Sequence, residues 1–151
     1  SYSFMIYILF HSQLKQFYYS FTPYQIGCII SGDNTMTRTF IQTNEFSKNW
    51  DILGFDDEDL RILELSILEH PEKYPIMKGT GGLRKARISI GRKGKSGGAR
   101  VCFVDFIFVE TLYLITVCGK KEKDNLSITE RNQIKKMIDT LKKTLEEVHN
   151  E

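Results

Sequence analysis

Residues 83–118 read LRKARISI GRKGKSGG ARVCFVDFIF VETLYLITVC, and the fold follows from how these letters alternate. Over residues 83–90, Leu83, Lys85, Arg87 and Ser89 fall on one side and Arg84, Ala86, Ile88 and Ile90 on the other. That is the period of two that a strand requires. Residues 91–98 hold only glycine, lysine, arginine and serine, the chemistry of a turn. Residues 99–108 and 110–117 read as two further strands, the last nearly all apolar and so expected at the centre of a sheet. Three strands with short links predict a meander, hence antiparallel pairing.

The elements around this meander are well punctuated. Upstream, residues 37–42 alternate as a strand. Thr43 can cap a short helix that carries Phe46, Trp50 and Leu53 and stops at Gly54. Asp56 opens a second helix, with Asp59 three residues later in a capping-box arrangement. Its apolar positions Leu60, Leu63, Ile67 and Leu68 follow helical spacing, and Pro71 and Pro75 end it. Downstream, Ser127 and Glu130 make a second capping box. It opens a final helix whose expected buried stripe is Ile134, Ile138, Leu141, Leu145 and Val148. The expected class is α+β: a small, mostly antiparallel sheet in the order β-α-α-β-β-β-α with helices packed on it.

The chain of 151 residues is the length of one domain, and its 41% hydrophobic content suffices for a core. Residues 1–35 differ from the rest. They are rich in Phe, Tyr and Ile, with Lys15 and Asp33 their only charges. The apolar run at residues 4–10 lacks the basic flank and small-residue cleavage site of a signal peptide. It suits an interfacial helix, an added strand or a segment that is not native. Codons for Gly32 and Asp33 can spell a purine-rich ribosome-binding site shortly before Met36. Residues 1–35 are therefore expected to be a non-conforming leader, translated from upstream sequence, with residues 36–151 as the domain.

The formal net charge of +2 is uninformative, but its distribution is not. Residues 45–73 carry nine acids against three bases, whereas residues 78–100 carry eight bases and no acid. Such a bipolar surface attracts a polyanion to its positive end. A solvated lysine-rich loop is the plain alternative. Lys85 and Arg87 share a strand face, Arg100 leads the next strand across the turn, and Lys120, Lys121 and Lys123 follow the last strand.

Several enzyme classes are excluded or unsupported. Gly94-Lys95-Ser96 imitates a phosphate-binding loop, but Ser89 stands at the first glycine position and a strand follows where a helix is needed. His11, His70 and His149 are far apart with no partner at ligand spacing, so neither a metal site nor any cofactor is expected. No Ser-His-Asp or Cys-His signature is visible. Of the three cysteines, Cys28, Cys102 and Cys118, the last two sit in apolar runs and read as buried thiols, suited to a reducing cytoplasm. No run of about 20 apolar residues suggests a membrane span. What is left is chemistry that needs only cations. Lysine and arginine can bind phosphates and stabilise a pentacovalent phosphorane, while RNA brings its own 2′-OH nucleophile. A lysine crowded by like charges can serve as general acid or base.

The ordered motifs Gly79-Thr80-Gly81-Gly82-Leu83-Arg84-Lys85-x-Arg87 and Gly94-Lys95-Ser96-Gly97-Gly98-Ala99-Arg100-Val101 resemble the HigB-like branch of the RelE/ParE toxin superfamily. Tyr113-Leu114-Ile115-Thr116-Val117 and the following Gly119-Lys120-Lys121-Glu122-Lys123-Asp124-Asn125-Leu126-Ser127 add to the likeness. So do Asp57-Glu58-Asp59-Leu60 and Pro71-Glu72-Lys73. The match runs from Met36 to about Val148. The resemblance implies a RelE/ParE-like fold and the toxin of a type II toxin-antitoxin system. Such a toxin is a ribosome-dependent mRNA endonuclease, metal-independent, cytoplasmic and inhibitory to translation. It implies as partners the ribosome, mRNA and a cognate helix-turn-helix antitoxin, with no small-molecule substrate. By motif, Arg100, Lys95 and Lys121 are the implied catalytic residues. Arg84, Lys85, Arg87, Arg92, Lys93, Lys120 and Lys123 are the implied RNA contacts. The pattern departs at Cys118, where relatives often carry tyrosine. The alternatives are a non-catalytic ParE-type inhibitor of DNA gyrase and a degenerate toxin that only binds its antitoxin.

Overall fold

The computed structural model describes residues 24–30, 34–90, 98–119 and 126–151, with the backbone alone described for 24–30 and 34–36. Five strands form one sheet: β1 (Tyr24–Ile30), β2 (Asn34–Gln42), β3 (Arg84–Ser89), β4 (Gly98–Phe106) and β5 (Thr111–Cys118). The helices are α1 (Asn44–Ile52), α2 (Asp57–Glu69) and α3 (Ile128–His149). Spatial order is β1-β2-β5-β4-β3, with β2 and β5 parallel and the other three pairings antiparallel. The α+β class and the mostly antiparallel sheet are as the sequence predicts, and the apolar β5 is central. β1 is a strand that the sequence did not single out, and the apolar run at residues 4–10 lies outside the described residues. β1 pairs with β2 from Tyr24↔Phe40 to Ile30↔Asn34, so Met36 lies inside β2 and not at its start.

The sheet separates two apolar layers. Phe46 and Trp50 of α1 and Leu60, Leu63, Ile67 and Leu68 of α2 pack on one face against Phe40, Ala86, Val101, Phe103 and Leu114. Ile134, Ile138 and Leu141 of α3 pack on the other against Ile41, Leu83, Cys102, Val104, Tyr113 and Ile115. Consecutive strand residues therefore serve opposite layers. Cys102 and Cys118 are buried thiols, as expected.

Local chemistry fixes the ends of the helices. Thr43 accepts from the Phe46 N–H at the start of α1, and Asp56 with Asp59 and Ser127 with Glu130 form complete capping boxes. The Thr43 hydroxyl also donates to the Ile115 carbonyl at 2.7 Å. That carbonyl is available because β5 bulges there. Phe103 pairs with Leu114 and Cys102 with Thr116, leaving Ile115 as an extra residue. The bulge returns Thr116 to the α3 face and, two residues on, Cys118 as well.

Two expectations need correction. Strand β4 ends at Phe106, not at 108. Ile107–Val109 is a short 3-10 turn, and Glu110 takes a left-handed conformation (φ 47°) to reverse the chain into β5. The stripe of α3 is buried through Leu141 and half-buried at Leu145, but Val148 is 62% exposed. The last turn of the helix outruns the sheet, and His149 there meets the edge of Phe108.

Candidate nucleic-acid interface

Strand register decides which cations can act together, because residues paired across an antiparallel ladder share a face. Arg87 pairs with Arg100, and Arg100 with Cys118. Lys85 pairs with Cys102, and Cys102 with Thr116. Two parallel rows result, Arg87–Arg100–Cys118 and Lys85–Cys102–Thr116, on the face that also carries α3. They lie toward the end of the sheet where β3 and β5 finish and β4 begins. Arg87 is exposed, while Lys85 and Arg100 are half-buried. Paired residues lie about 5 Å apart at Cα, so the two arginines stand side by side. Like charges directly opposite each other oppose sheet formation, and an anion between them reverses the sign.

Arg84 does not join this cluster. It is on the other face, with Ala86 and Ile88, and its Nη1 donates to the Tyr74 carbonyl at 2.7 Å and to the Glu72 carbonyl at 3.3 Å. It fastens the chain after α2 to the sheet edge, beside the backbone bonds Lys85 N–H to Pro75 O and Met77 N–H to Leu83 O. The Glu72 carboxyl is held below its ordinary range, first by its own backbone N–H and then by His70 and Arg84. Arg84 is a clamp for this loop, a role its place in the basic motif conceals.

The glycines of the same motif are structural as well. Gly79, Gly81 and Gly82 have φ of 80°, 76° and 129°, where side chains are strained. A Cβ on Gly81 would lie 3.2 Å from Lys135 Cγ and 3.3 Å from Asp139 Oδ1. Thr80 is fully buried. Its hydroxyl donates to the Met77 carbonyl and accepts from the Leu83 N–H. This loop seats α3 on the sheet.

Of the residues singled out in the sequence, the structure brings together Lys85, Arg87 and Arg100 and leaves Arg84 apart. Arg92, Lys93, Lys95, Lys120, Lys121 and Lys123 lie outside the described residues. Cys118, the register partner of Arg100, ends β5 just before the last three of them. Thr116 was not anticipated. It is 1% exposed on the α3 face, with no hydrogen-bond partner for its hydroxyl among the described residues, and the bulge puts it there. Among the described residues no three His, Cys, Asp or Glu side chains converge as metal ligands, and no helix is long and apolar enough to cross a membrane. No protein-family model matches the chain.

Proposed function

We propose that this chain is a RelE/ParE-type, HigB-like toxin: an endoribonuclease that cuts mRNA on the ribosome in the cytoplasm and is silenced by a cognate antitoxin. The observation that carries the reading is the cross-strand pair Arg87–Arg100, with Lys85 one row behind, on a single face of the sheet. The ordered motif resemblance supplies the reaction class.

In this reading the two guanidiniums grip the scissile phosphate, each able to offer two parallel N–H donors. The 2′-OH of the preceding ribose attacks the phosphorus. Its proton passes to a base, the P–O5′ bond breaks, and the leaving oxygen takes a proton from an acid. The products are a 2′,3′-cyclic phosphate and a free 5′-OH. Arg100 stabilises the charge that accumulates on the phosphorane, a contribution confined to the transition state. Arg87 positions that phosphate and Lys85, one row behind, holds the neighbouring backbone, which supplies orientation. Lys95 and Lys121 remain the candidates for proton transfer.

Expression of the chain in a bacterium tests this. Induced wild type is expected to arrest growth. Arg100→Ala, expressed to the same level and equally folded, is expected to leave growth unaffected while still co-purifying with antitoxin. Full arrest by a stable Arg100→Ala variant would refute the assignment. Gyrase inhibition without cleavage of mRNA would replace it with a ParE-type role.

A further inference from the structure

Resting on the RNA-binding reading of the sheet, we propose that the outward face of α3 carries the phosphate backbone of the same single-stranded RNA away from the Arg87–Arg100 pair. The inner stripe of this helix is spent on the sheet, through Ile134, Ile138 and Leu141. On the outside, Asn132, Lys135, Lys136, Asp139, Thr140 and Lys143 line one shallow depression of about 340 Å³. Its length along the helix, from residue 132 to residue 143, is about 16 Å at the α-helical rise.

The acids within this strip offset only part of its charge. Between Glu130 and Lys143, α3 carries Arg131, Lys135, Lys136, Lys142 and Lys143 against Glu130 and Asp139. Both acids are engaged: Glu130 accepts from the Ser127 N–H at 2.6 Å, and Asp139 accepts from Lys135 Nζ at 2.5 Å. Lys136, Lys142 and Lys143 make no ion pair among the described residues, although Asp139 stands three residues after Lys136 and Glu147 four after Lys143. All three are exposed.

The strip and the sheet site share the glycine loop as a neighbour. α3 covers the same face that bears Lys85, Arg87 and Arg100. The glycine loop connects the two, since Gly79 lies against Arg131 and Gly81 against Lys135, and the loop enters β3 directly at Leu83 and Arg84. In the proposed path a backbone leaving the arginine pair runs past Lys85 and the glycine loop to Lys136 and Lys143. The lining argues against an apolar occupant. It has no apolar side chain to anchor a protein helix or enter a bilayer. Its amide and hydroxyl, on Asn132 and Thr140, suit ribose and phosphate oxygens.

Binding of a fluorescein-labelled, unstructured RNA to the chain, measured across a salt series, tests this. For single strands each phosphate contact contributes about 0.7 to the slope of log K against log salt. Lys136→Gln/Lys143→Gln is expected to lower the slope by about 1.4 with an unchanged circular dichroism spectrum. Lys48→Gln, an exposed lysine on the opposite face in α1, is the control and is expected to leave it unchanged. An unchanged slope in the double variant, or an equal drop in the control, overturns the proposal. Loss of antitoxin co-purification with an unchanged RNA slope assigns the strip to a protein partner and overturns it too. Failure of the wild type to bind RNA at all strikes the underlying reading instead.

Discussion

Breaking the Arg38–Asp105 pair is predicted to remove a large share of the stability of this fold. Arg38 on β2 donates from Nε to Asp105 Oδ1 at 2.8 Å and from Nη2 to Oδ2 at 3.2 Å. The pair reaches across β5 to β4, and the two side chains are only 7% and 6% exposed. Two charge-assisted hydrogen bonds at about 1.5–3 kcal/mol each give about 3–6 kcal/mol. Stranding one member of a buried ion pair costs about 3–5 kcal/mol by a separate route. The ranges overlap near 4 kcal/mol, about a quarter or more of the roughly 5–15 kcal/mol that holds a domain together. With a urea slope of about 1–3 kcal/mol/M, Arg38→Met or Asp105→Leu should move the unfolding midpoint down by roughly 2 M. Fluorescence of Trp50, the single tryptophan, reports the transition, because it is buried between Phe46 and Phe55. Arg38→Met/Asp105→Leu leaves no uncompensated charge and is expected to recover most of the loss. A double variant that loses the sum of the two single effects would show that the residues are not coupled, and the reasoning would fail.

Arg84 and Arg87, three residues apart in one basic motif, should separate cleanly. Arg84→Ala is expected to lower the unfolding free energy by about 1–2 kcal/mol from its two carbonyl contacts, one of them exposed, and to leave RNA binding by the folded protein intact. Arg87→Ala should do the reverse, and equal effects of the two on RNA affinity would contradict their assignment to opposite faces. Gly81→Ala and Gly54→Ala test the loop beneath α3. Both sit at nearly the same positive φ, but only Gly81 has neighbours within 4 Å of the added methyl. Each should lose about 1–2 kcal/mol to backbone strain, and Gly81→Ala should lose more in denaturant titrations. Equal losses would mean that the loop does not bear on Lys135 and Asp139.

Much of this fold is local and so was readable. Asp56 with Asp59 and Ser127 with Glu130 specify helix starts within four residues of sequence, and both capping boxes are present. The alternation of Lys85, Ala86, Arg87 and Ile88 marks a strand with two chemically different faces. The parts that escaped depend on distant partners or on uniform composition. Arg38 and Asp105 are 67 residues apart and nothing near either announces the other. In β5 both faces are apolar and Thr116 beside Ile115 breaks no alternation, so the bulge left no trace in the letters. Ile107 and Phe108 look like strand residues because they are apolar, yet the turn needs a left-handed Glu110 just beyond them. In the basic cluster the charge and the alternation of faces were legible, so Arg84 stood opposite Arg87 from the start. Its role as a clamp was not, because tertiary packing delivers the Glu72 and Tyr74 carbonyls that it holds.

The most direct test of the central claim is cleavage of a defined mRNA in a purified translation system, mapped by primer extension, with and without ribosomes. Cuts that appear with wild type only when ribosomes are present, and that vanish with Arg100→Ala, are the predicted result. Intact mRNA in the presence of ribosomes and folded wild-type protein, or undiminished cutting by Arg100→Ala, would contradict it.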